Sequence, residues 1–172
     1  MSHRIEQLAS PHPCQSFTCG KEWLDNYLRK HALANQNNGY ARTYVAVDSD
    51  SGRIDGYFSI SMGCVLFAHL PQTLQKNVDK YPMPVCHIGC LAVAADRQGR
   101  HLGELLLMDA CVKIVAAADI IGARAVEVKA IDDQAKCWYQ RYGFLPFADN
   151  PMHLYLPLAT VREMLKAAGI IE

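Results

Sequence analysis

Gln98-Gly99-Arg100-His101-Leu102-Gly103 lies between a strand-like run at 88–94 and a long apolar helical pattern at 105–118. A small-residue turn at such a junction gathers backbone N–H groups at a helix N-terminus. The first four amides there lack intrahelical partners, and the macrodipole adds partial positive charge. Such a place suits phosphate, so the stretch predicts a nucleotide or coenzyme pyrophosphate site. It is not a P-loop, because no Gly-Lys-Ser/Thr follows, and not G-x-G-x-x-G, because its glycines stand at 99 and 103. Taken alone, the loop reads equally as an ordinary polar connection into a core helix.

Working outward, residues 3–8 suggest a short first strand. Phe17-Thr18-Cys19-Gly20 leads into a helix over 21–35 whose stripe is Trp23, Leu24, Tyr27, Leu28 and His31. Asn37-Asn38-Gly39 ends it. The β-rich run 42–48, the turn cluster Asp48-Ser49-Asp50-Ser51-Gly52 and a strand over 54–66 predict a hairpin. Alternation sets Tyr57, Ser59 and Ser61 on one face and Phe58, Ile60 and Met62 on the other. The first face reads as solvated, with a polar cleft as the alternative.

A helical turn is expected at 72–78, and Pro82 and Pro84 deliver the chain into a strand over 85–94. The long helix shows Leu105, Met108, Val112, Val115 and Ala116 as its main stripe. Leu106, Leu107 and Ile114 imply burial on more than one side. Ile121-Gly122 ends it, and 123–130 is a strand with Val126 and Val128 inward. Asp132 or Asp133 caps a short helix carrying Ala135, Lys136, Trp138 and Tyr139, which Gly143-Phe144 closes. A last strand near 152–156 precedes a helix with Val161, Met164 and Leu165 as its apolar side. The order β-α-β-β-β-α-β-α-β, without repeat or linker, predicts one mixed α+β domain over residues 1–172.

With 172 residues the chain can bury a full core, and half of it is apolar. Lys+Arg and Asp+Glu balance at 17 each, so no global charge draws it to nucleic acid or anionic membrane. A local basic patch is available from Arg29, Lys30, Arg42, Arg97 and Arg100. No apolar run spans a bilayer and Met1-Ser2-His3-Arg4 lacks a signal-peptide core, so the expected location is cytoplasmic, without membrane. The seven cysteines then read as reduced, small hydrophobes. Neither His12 with Cys14 and Cys19 nor Cys86-His87-Cys90 has metal-ligand spacing. Strand alternation also sets His87 opposite Cys86 and Cys90, so no metal centre is expected.

Leu91-Ala92-Val93, Gln98 to Gly103 and Leu105-Leu106 together resemble motif A of the GNAT-superfamily N-acetyltransferases, Q/R-x-x-G-x-G/A. The segment Ala135-Lys136-Cys137-Trp138-Tyr139-Gln140-Arg141-Tyr142-Gly143-Phe144 resembles that superfamily's A-x-x-F-Y-x-x-x-G-F signature. Phe17-Thr18-Cys19, Leu24 to Leu28, Asn35, Arg42 to Val45, Gly56 to Ser61 and Pro84-Val85 are similar to one branch, the acetyltransferase toxins of type II toxin–antitoxin modules of the TacT and AtaT kind. Nearly the whole chain is covered. The implied fold is a central mixed, mostly antiparallel sheet with splayed strands flanked by helices.

The resemblance implies acetyl-CoA as co-substrate. Leu91, Ala92 and Val93 would hold the pantetheine arm on unpaired strand groups. Gln98, Gly99, Arg100, His101, Leu102 and Gly103 would hold the pyrophosphate, with Lys136 beside the coenzyme. Tyr139 would give a proton to the departing thiolate, since a phenol with pKa near 10 is protonated at neutral pH; Tyr142 matches no catalytic position. No general base is evident: Glu127 and Asp132 are candidates and read equally as structural or solvated. The branch implies the α-amine of aminoacyl-tRNA as acceptor, arrest of translation, a homodimer and a ribbon-helix-helix antitoxin.

Three positions depart from the branch pattern. Cys90 stands for an arginine, His101 for the central glycine of motif A, and Lys129 for a histidine. These departures leave two alternatives open: a GNAT enzyme acting on a small-molecule or protein amine, and a drifted, non-catalytic CoA- or antitoxin-binding domain. At His101, helical dihedrals would keep the amide pointing at the pyrophosphate.

Overall fold

The hairpin predicted at 48–52 is held by one carboxylate. In the computed structural model, which describes residues 2–76 and 78–172, Asp48 Oδ1 accepts from Ser51 N at 2.8 Å and Ser51 Oγ at 2.7 Å. Gly52 follows at φ +72°. Met1 and Asn77, the second within the helical turn expected at 72–78, lie outside the described residues. The turn joins β2 (Arg42–Asp48) to β3 (Ile54–Val65) in antiparallel register, Tyr44 opposite Phe58 and Val45 opposite Tyr57. β1 (His3–Gln7) pairs antiparallel with β2.

The seven-stranded sheet runs β1-β2-β3-β4-β5-β7-β6, where β4 is Met83–Val93, β5 Ala125–Lys129, β6 Leu145–Pro146 and β7 His153–Pro157. β4 and β5 are parallel, whereas β5 with β7 and β6 with β7 are antiparallel. The α+β class and order expected from the sequence are therefore borne out; the two-residue β6 was not foreseen, being too short to carry a pattern. No helix among the described residues is long and apolar enough to cross a membrane. The chain divides into two compact units, Met1–Ser61 with Gly89–Ala110 and Met62–Ile88 with Cys111–Glu172.

In the first unit the helix expected at 21–35 is α1 (Glu22–Asn26), a π turn (Tyr27–His31) and α2 (Ala32–Asn37). The inserted residue of a π turn rotates the stripe. Leu24, Leu28 and Ala32 are buried, while Trp23 and His31 are exposed. These side chains close over Val45, Val47, Tyr57, Cys90 and Ala92 in one core. The face read as solvated is therefore interior: Tyr57 is fully buried, with Ser59 beside it, and the Tyr57 hydroxyl donates to Leu24 O at 2.7 Å. Period-2 alternation identifies faces but not which of them a helix will cover.

A short helix α3 (Gln72–Gln75) precedes β4, and the long helix α4 (Leu102–Ile121) buries Leu102, Leu106, Leu107, Ala110, Cys111, Ile114 and Val115. Leu105 and Ala116, expected in its main stripe, are exposed. With apolar residues nearly all round, periodicity could not choose the buried side. Gly56 fixes that choice in the first unit, because a Cβ there would stand 2.8 Å from Leu106 Cδ1 and 3.0 Å from Ala92 O. In the second unit, Val85, Ala125, Phe147 and Tyr155 share a core with Leu70 and Met83. α5 (Asp133–Arg141) is capped by Asp132, whose carboxylate accepts from Ala135 N at 2.8 Å. α6 (Leu158–Ala167) follows β7 and buries Val161 and Leu165. All seven cysteines are free thiols.

Candidate active site

The chain leaves β4 through a short turn (Ala95–Arg97), and Gln98 is extended. Gly99 follows at φ +74° and His101 at φ +62°; His101 is the one non-glycine with positive φ among the described residues. It thus adopts the left-handed region and not the helical dihedrals that would keep its amide toward a pyrophosphate. α4 begins at the next residue, and Leu105 N donates back to His101 O at 3.1 Å. The amides of Leu102, Gly103 and Glu104 precede that bond and point out of the helix end. The His101 side chain lies away in solvent, 88% exposed, with Nδ1 3.3 Å from Glu104 Oε2. Gln98 acts as a clasp: its Nε2 donates to Cys19 O at 2.9 Å and Val93 O at 3.0 Å. The loop entry is thereby pinned to the end of β4.

Beside the loop a pocket is lined by His3, Arg97, Arg100, His101, Leu102 and Leu105. Beneath it Asp55, fully buried, accepts from Arg53 Nε at 2.8 Å and faces Arg97 Nε at 3.1 Å and His3 Nε2 at 3.0 Å. His3, Asp48 and Asp55 lie close enough to one another for a metal ion. The two guanidiniums on Asp55 and the turn amides on Asp48 already neutralise or occupy those carboxylates. A loop rich in outward amides, left-handed turns and flanking cations fits a pyrophosphate.

The basic patch is smaller than the sequence suggested. Arg29 donates to Phe17 O, Arg42 Nη1 donates to Gln36 O at 2.8 Å, and Arg97 is held at Asp55. Lys30 and Arg100 remain exposed.

In the second unit the β4–β5 ladder covers four rungs, from Val85↔Ala125 to Ile88↔Val128, although β4 continues to Val93. The β4 residues Gly89 to Val93, which include Leu91, Ala92 and Val93, therefore have no partner in that register. Tyr139 is buried on α5, its ring 5.0 Å from Trp138 edge-on and 5.3 Å from Phe144. Gly143 at φ +90° makes the turn that brings Phe144 back. Lys136 lies half-buried one turn before Tyr139. Asp132, a candidate base, is used as the helix cap.

Glu127, the other candidate base, is not solvated but sits at the centre of a buried charge cluster. Its Oε2 meets His87 Nδ1 at 2.6 Å and its Oε1 meets His153 Nε2 at 2.5 Å. His153 Nδ1 in turn meets Asp149 Oδ2 at 2.9 Å, and His69 Nδ1 lies 3.8 Å from Asp149. Burial alone would raise the Glu127 carboxyl, but the two imidazoles outweigh it and hold it below the usual glutamate range. Asp149 is lowered likewise, burial being outweighed by His153. Sequence reasoning missed the histidines. The available signal was an acid inside the apolar run Val126-Glu127-Val128, which needs a buried partner. Cys90, where the branch has arginine, is buried with its thiol pushed up to about 11, so it is no nucleophile at neutral pH.

No family model matches the chain. Among curated relatives, a tRNA-acetylating toxin of Mycobacterium tuberculosis is 39% identical over 150 residues, covering 87% of this chain and 89% of the relative. A probable toxin TacT of Sinorhizobium fredii is 27% identical over 162 residues, covering 90% of each. Among solved structures, a tyrosine-to-phenylalanine mutant of KacT has a TM-score of 0.89 at 27% identity, covering 95% of this chain and 99% of that one. AtaT complexed with acetyl-methionyl-tRNAfMet has a TM-score of 0.87 at 25% identity, with the same coverage. AtaTR bound with acetyl-CoA has a TM-score of 0.84 at 26% identity, covering 95% and 98%. With this identity along almost its whole length, the chain belongs to the family of tRNA-acetylating toxins.

Proposed function

We propose that this protein is a single-domain GNAT enzyme that transfers the acetyl group of acetyl-CoA to the α-amine of an aminoacyl-tRNA and so blocks translation. The observation that carries the reading is the 98–103 loop. Two left-handed residues and a Gln98 clasp aim its amides outward at the start of a twenty-residue helix. The AtaT complex with acetyl-methionyl-tRNAfMet and the tRNA-acetylating relative support the acceptor class.

Acetyl-CoA supplies the activated acyl group. The amides of Gln98 to Gly103, with charge from Arg100, would bind its pyrophosphate, and the backbone of Leu91, Ala92 and Val93, past the end of the β4–β5 ladder, would take the pantetheine amides, with Lys136 the further coenzyme contact that the family resemblance implies. Tyr139, its ring locked between Trp138 and Phe144, gives the phenolic proton to the leaving thiolate. An α-amine has an ordinary pKa near 8, so about a tenth is already neutral at pH 7. The existence of a tyrosine-to-phenylalanine mutant of KacT accords with a tyrosine in this role.

The test is acetyl transfer to charged tRNA by the purified protein. Tyr139→Phe is expected to lower turnover about 100-fold with acetyl-CoA affinity unchanged; full activity would remove Tyr139 from the mechanism. Absence of transfer to every aminoacyl-tRNA offered would overturn the acceptor assignment.

A second acceptor class, a small-molecule or protein amine, is favoured by one observation: three of the five arginine and lysine positions expected to meet tRNA phosphate are tied down internally. The salt slope of tRNA binding separates the two, since each phosphate contact adds about one unit. Family membership further supports a cytoplasmic homodimer neutralised by a ribbon-helix-helix antitoxin. Light scattering and co-expression rescue of growth check these two points.

A further inference from the structure

Trp23 stands at the spacing of the first helix's apolar stripe, yet it is left 58% exposed, while its neighbour Leu24 is buried in the core. Among the described residues its indole makes no hydrogen bond and no ring contact. An aromatic face left in water offers a platform to another π system.

The segment that carries Trp23 is tied to the 98–103 loop. Ala95 N donates to Thr18 O at 2.9 Å, and Gln98 Nε2 donates to Cys19 O at 2.9 Å. Asp25 locks the same segment from within α1, accepting from Cys19 N at 2.7 Å and from Thr18 Oγ1 at 3.0 Å. Gly20 at φ +87° then turns the chain into α1, whose first turn holds Trp23. The loop and α1 belong to the same compact unit, so these bonds fix one against the other. Four residues separate Trp23 from Cys19, a reach of no more than about 14 Å. Because Cα–Cβ bonds tilt toward a helix's N-terminus, the ring covers the turn before it, on the Cys19 side. Tyr40, the unit's other strongly exposed large aromatic, lies beyond the far end of α2.

The ligand chemistry follows from the loop. In acetyl-CoA the pyrophosphate carries adenosine directly, so the adenine ring lies one ribose away from the phosphates. The pocket beside the loop presents guanidinium and imidazole groups, which suit phosphate. Neither an indole nor a phenol lines it. Trp23 supplies the broad apolar face that the base lacks there.

We propose that Trp23 is the adenine platform of the coenzyme site: the base of acetyl-CoA stacks on its exposed indole while the pyrophosphate lies on the 98–103 amides. This rests on the acetyl-CoA reading of the loop given above. Stacking engages the π face and not the edge of the base, so it needs no hydrogen-bonding partner for adenine. Trp23 thereby sets donor affinity without touching the reacting atoms.

The test is calorimetric titration of wild type, Trp23→Ala and Trp23→Tyr with three probes. These are acetyl-CoA, acetyl-4′-phosphopantetheine, which lacks the adenosine end, and adenosine 3′,5′-bisphosphate, which lacks the pantetheine arm. Trp23→Ala is expected to weaken acetyl-CoA and the bisphosphate at least about fivefold, the loss of one stacked base. Acetyl-4′-phosphopantetheine should bind all three proteins alike, and Trp23→Tyr should recover most of the affinity for the other two probes.

Equal weakening of all three probes would mark a loosened loop, and undiminished acetyl-CoA binding by Trp23→Ala a bystander ring; either overturns the proposal. So does a Trp23→Ala protein that keeps acetyl-CoA but loses charged tRNA or changes its light-scattering mass. The ring would then serve the terminal adenosine of the tRNA or a protein contact. A wild type that binds no acetyl-CoA overturns the coenzyme reading itself, and is told apart because the parent protein then fails.

Discussion

Replacing His101 by glycine should stabilise this protein, although it removes a side chain. The left-handed region costs an L-residue about 1–2 kcal/mol, because Cβ crowds the following carbonyl. His101 bears that cost at φ +62°. Its ring offers little in return, being 88% exposed with one 3.3 Å approach to the exposed Glu104. Glycine removes the crowding but adds unfolded-state freedom worth about 0.4–1 kcal/mol. The balance is a gain of about 0.5–1 kcal/mol. In a domain of this size that is about 2–3 °C in Tm.

The opposite substitution gives the control. His101→Val places a β-branched residue in the same region and should cost about 1–2 kcal/mol beyond wild type. Urea unfolding reads both, as shifts in midpoint at unchanged slope. If the glycine, histidine and valine proteins unfold at one midpoint, the left-handed residue is not strained and the reasoning fails. If glycine instead destabilises, the ring has a partner that its exposure conceals. Acetyl-CoA affinity should hold in the glycine variant, since the loop amides keep their direction, and should weaken in the valine variant.

Gly56→Ala should destabilise by about 1–3 kcal/mol, because the added Cβ meets Leu106 Cδ1 at 2.8 Å and Ala92 O at 3.0 Å; an unchanged melting temperature would contradict this packing. Asp132→Ala removes the cap on Ala135 N and should cost about 1 kcal/mol, with turnover falling alongside as the helix carrying Tyr139 loosens; denaturation and acetyl transfer measured together check it. Acid should weaken the fold. Glu127 and Asp149 titrate lower in the folded than in the unfolded chain, so their contribution is full above about pH 4.5 and fades as pH falls through the folded values. Melting temperatures across pH 3–7 should therefore decline in acid, and less steeply in Glu127→Gln; parallel declines would remove the cluster from the account.

Elements with a strong local signal were legible before the structure. Turn residues 48–52, the Asp132 cap and the Gly143 turn each act through their own backbone, so the sequence carries them directly. The strand-loop-helix around Gln98 was legible for the same reason. Buried faces were not. The π turn at Tyr27 moved the first helix's stripe, and an almost uniformly apolar α4 gave no contrast from which to choose between Leu105 and Leu106. Of the candidate site, Tyr139 and the loop were identified by motif. His87 carries no local signal, because its partner Glu127 is forty residues away.

By itself, then, the sequence determined the α+β order, the strand-loop-helix around Gln98 and the acetyltransferase family signature, all written in spacings of a few residues. Only the tertiary structure decided that Tyr57 is interior, that three arginines are tied down, and that His101 takes a left-handed turn. It alone assembled His87, Glu127, His153 and Asp149 into one cluster. The physical reason is that burial and ion pairing depend on which strands become neighbours. Strand neighbours such as β4 and β5 are set by the whole sheet, not by any local run of residues.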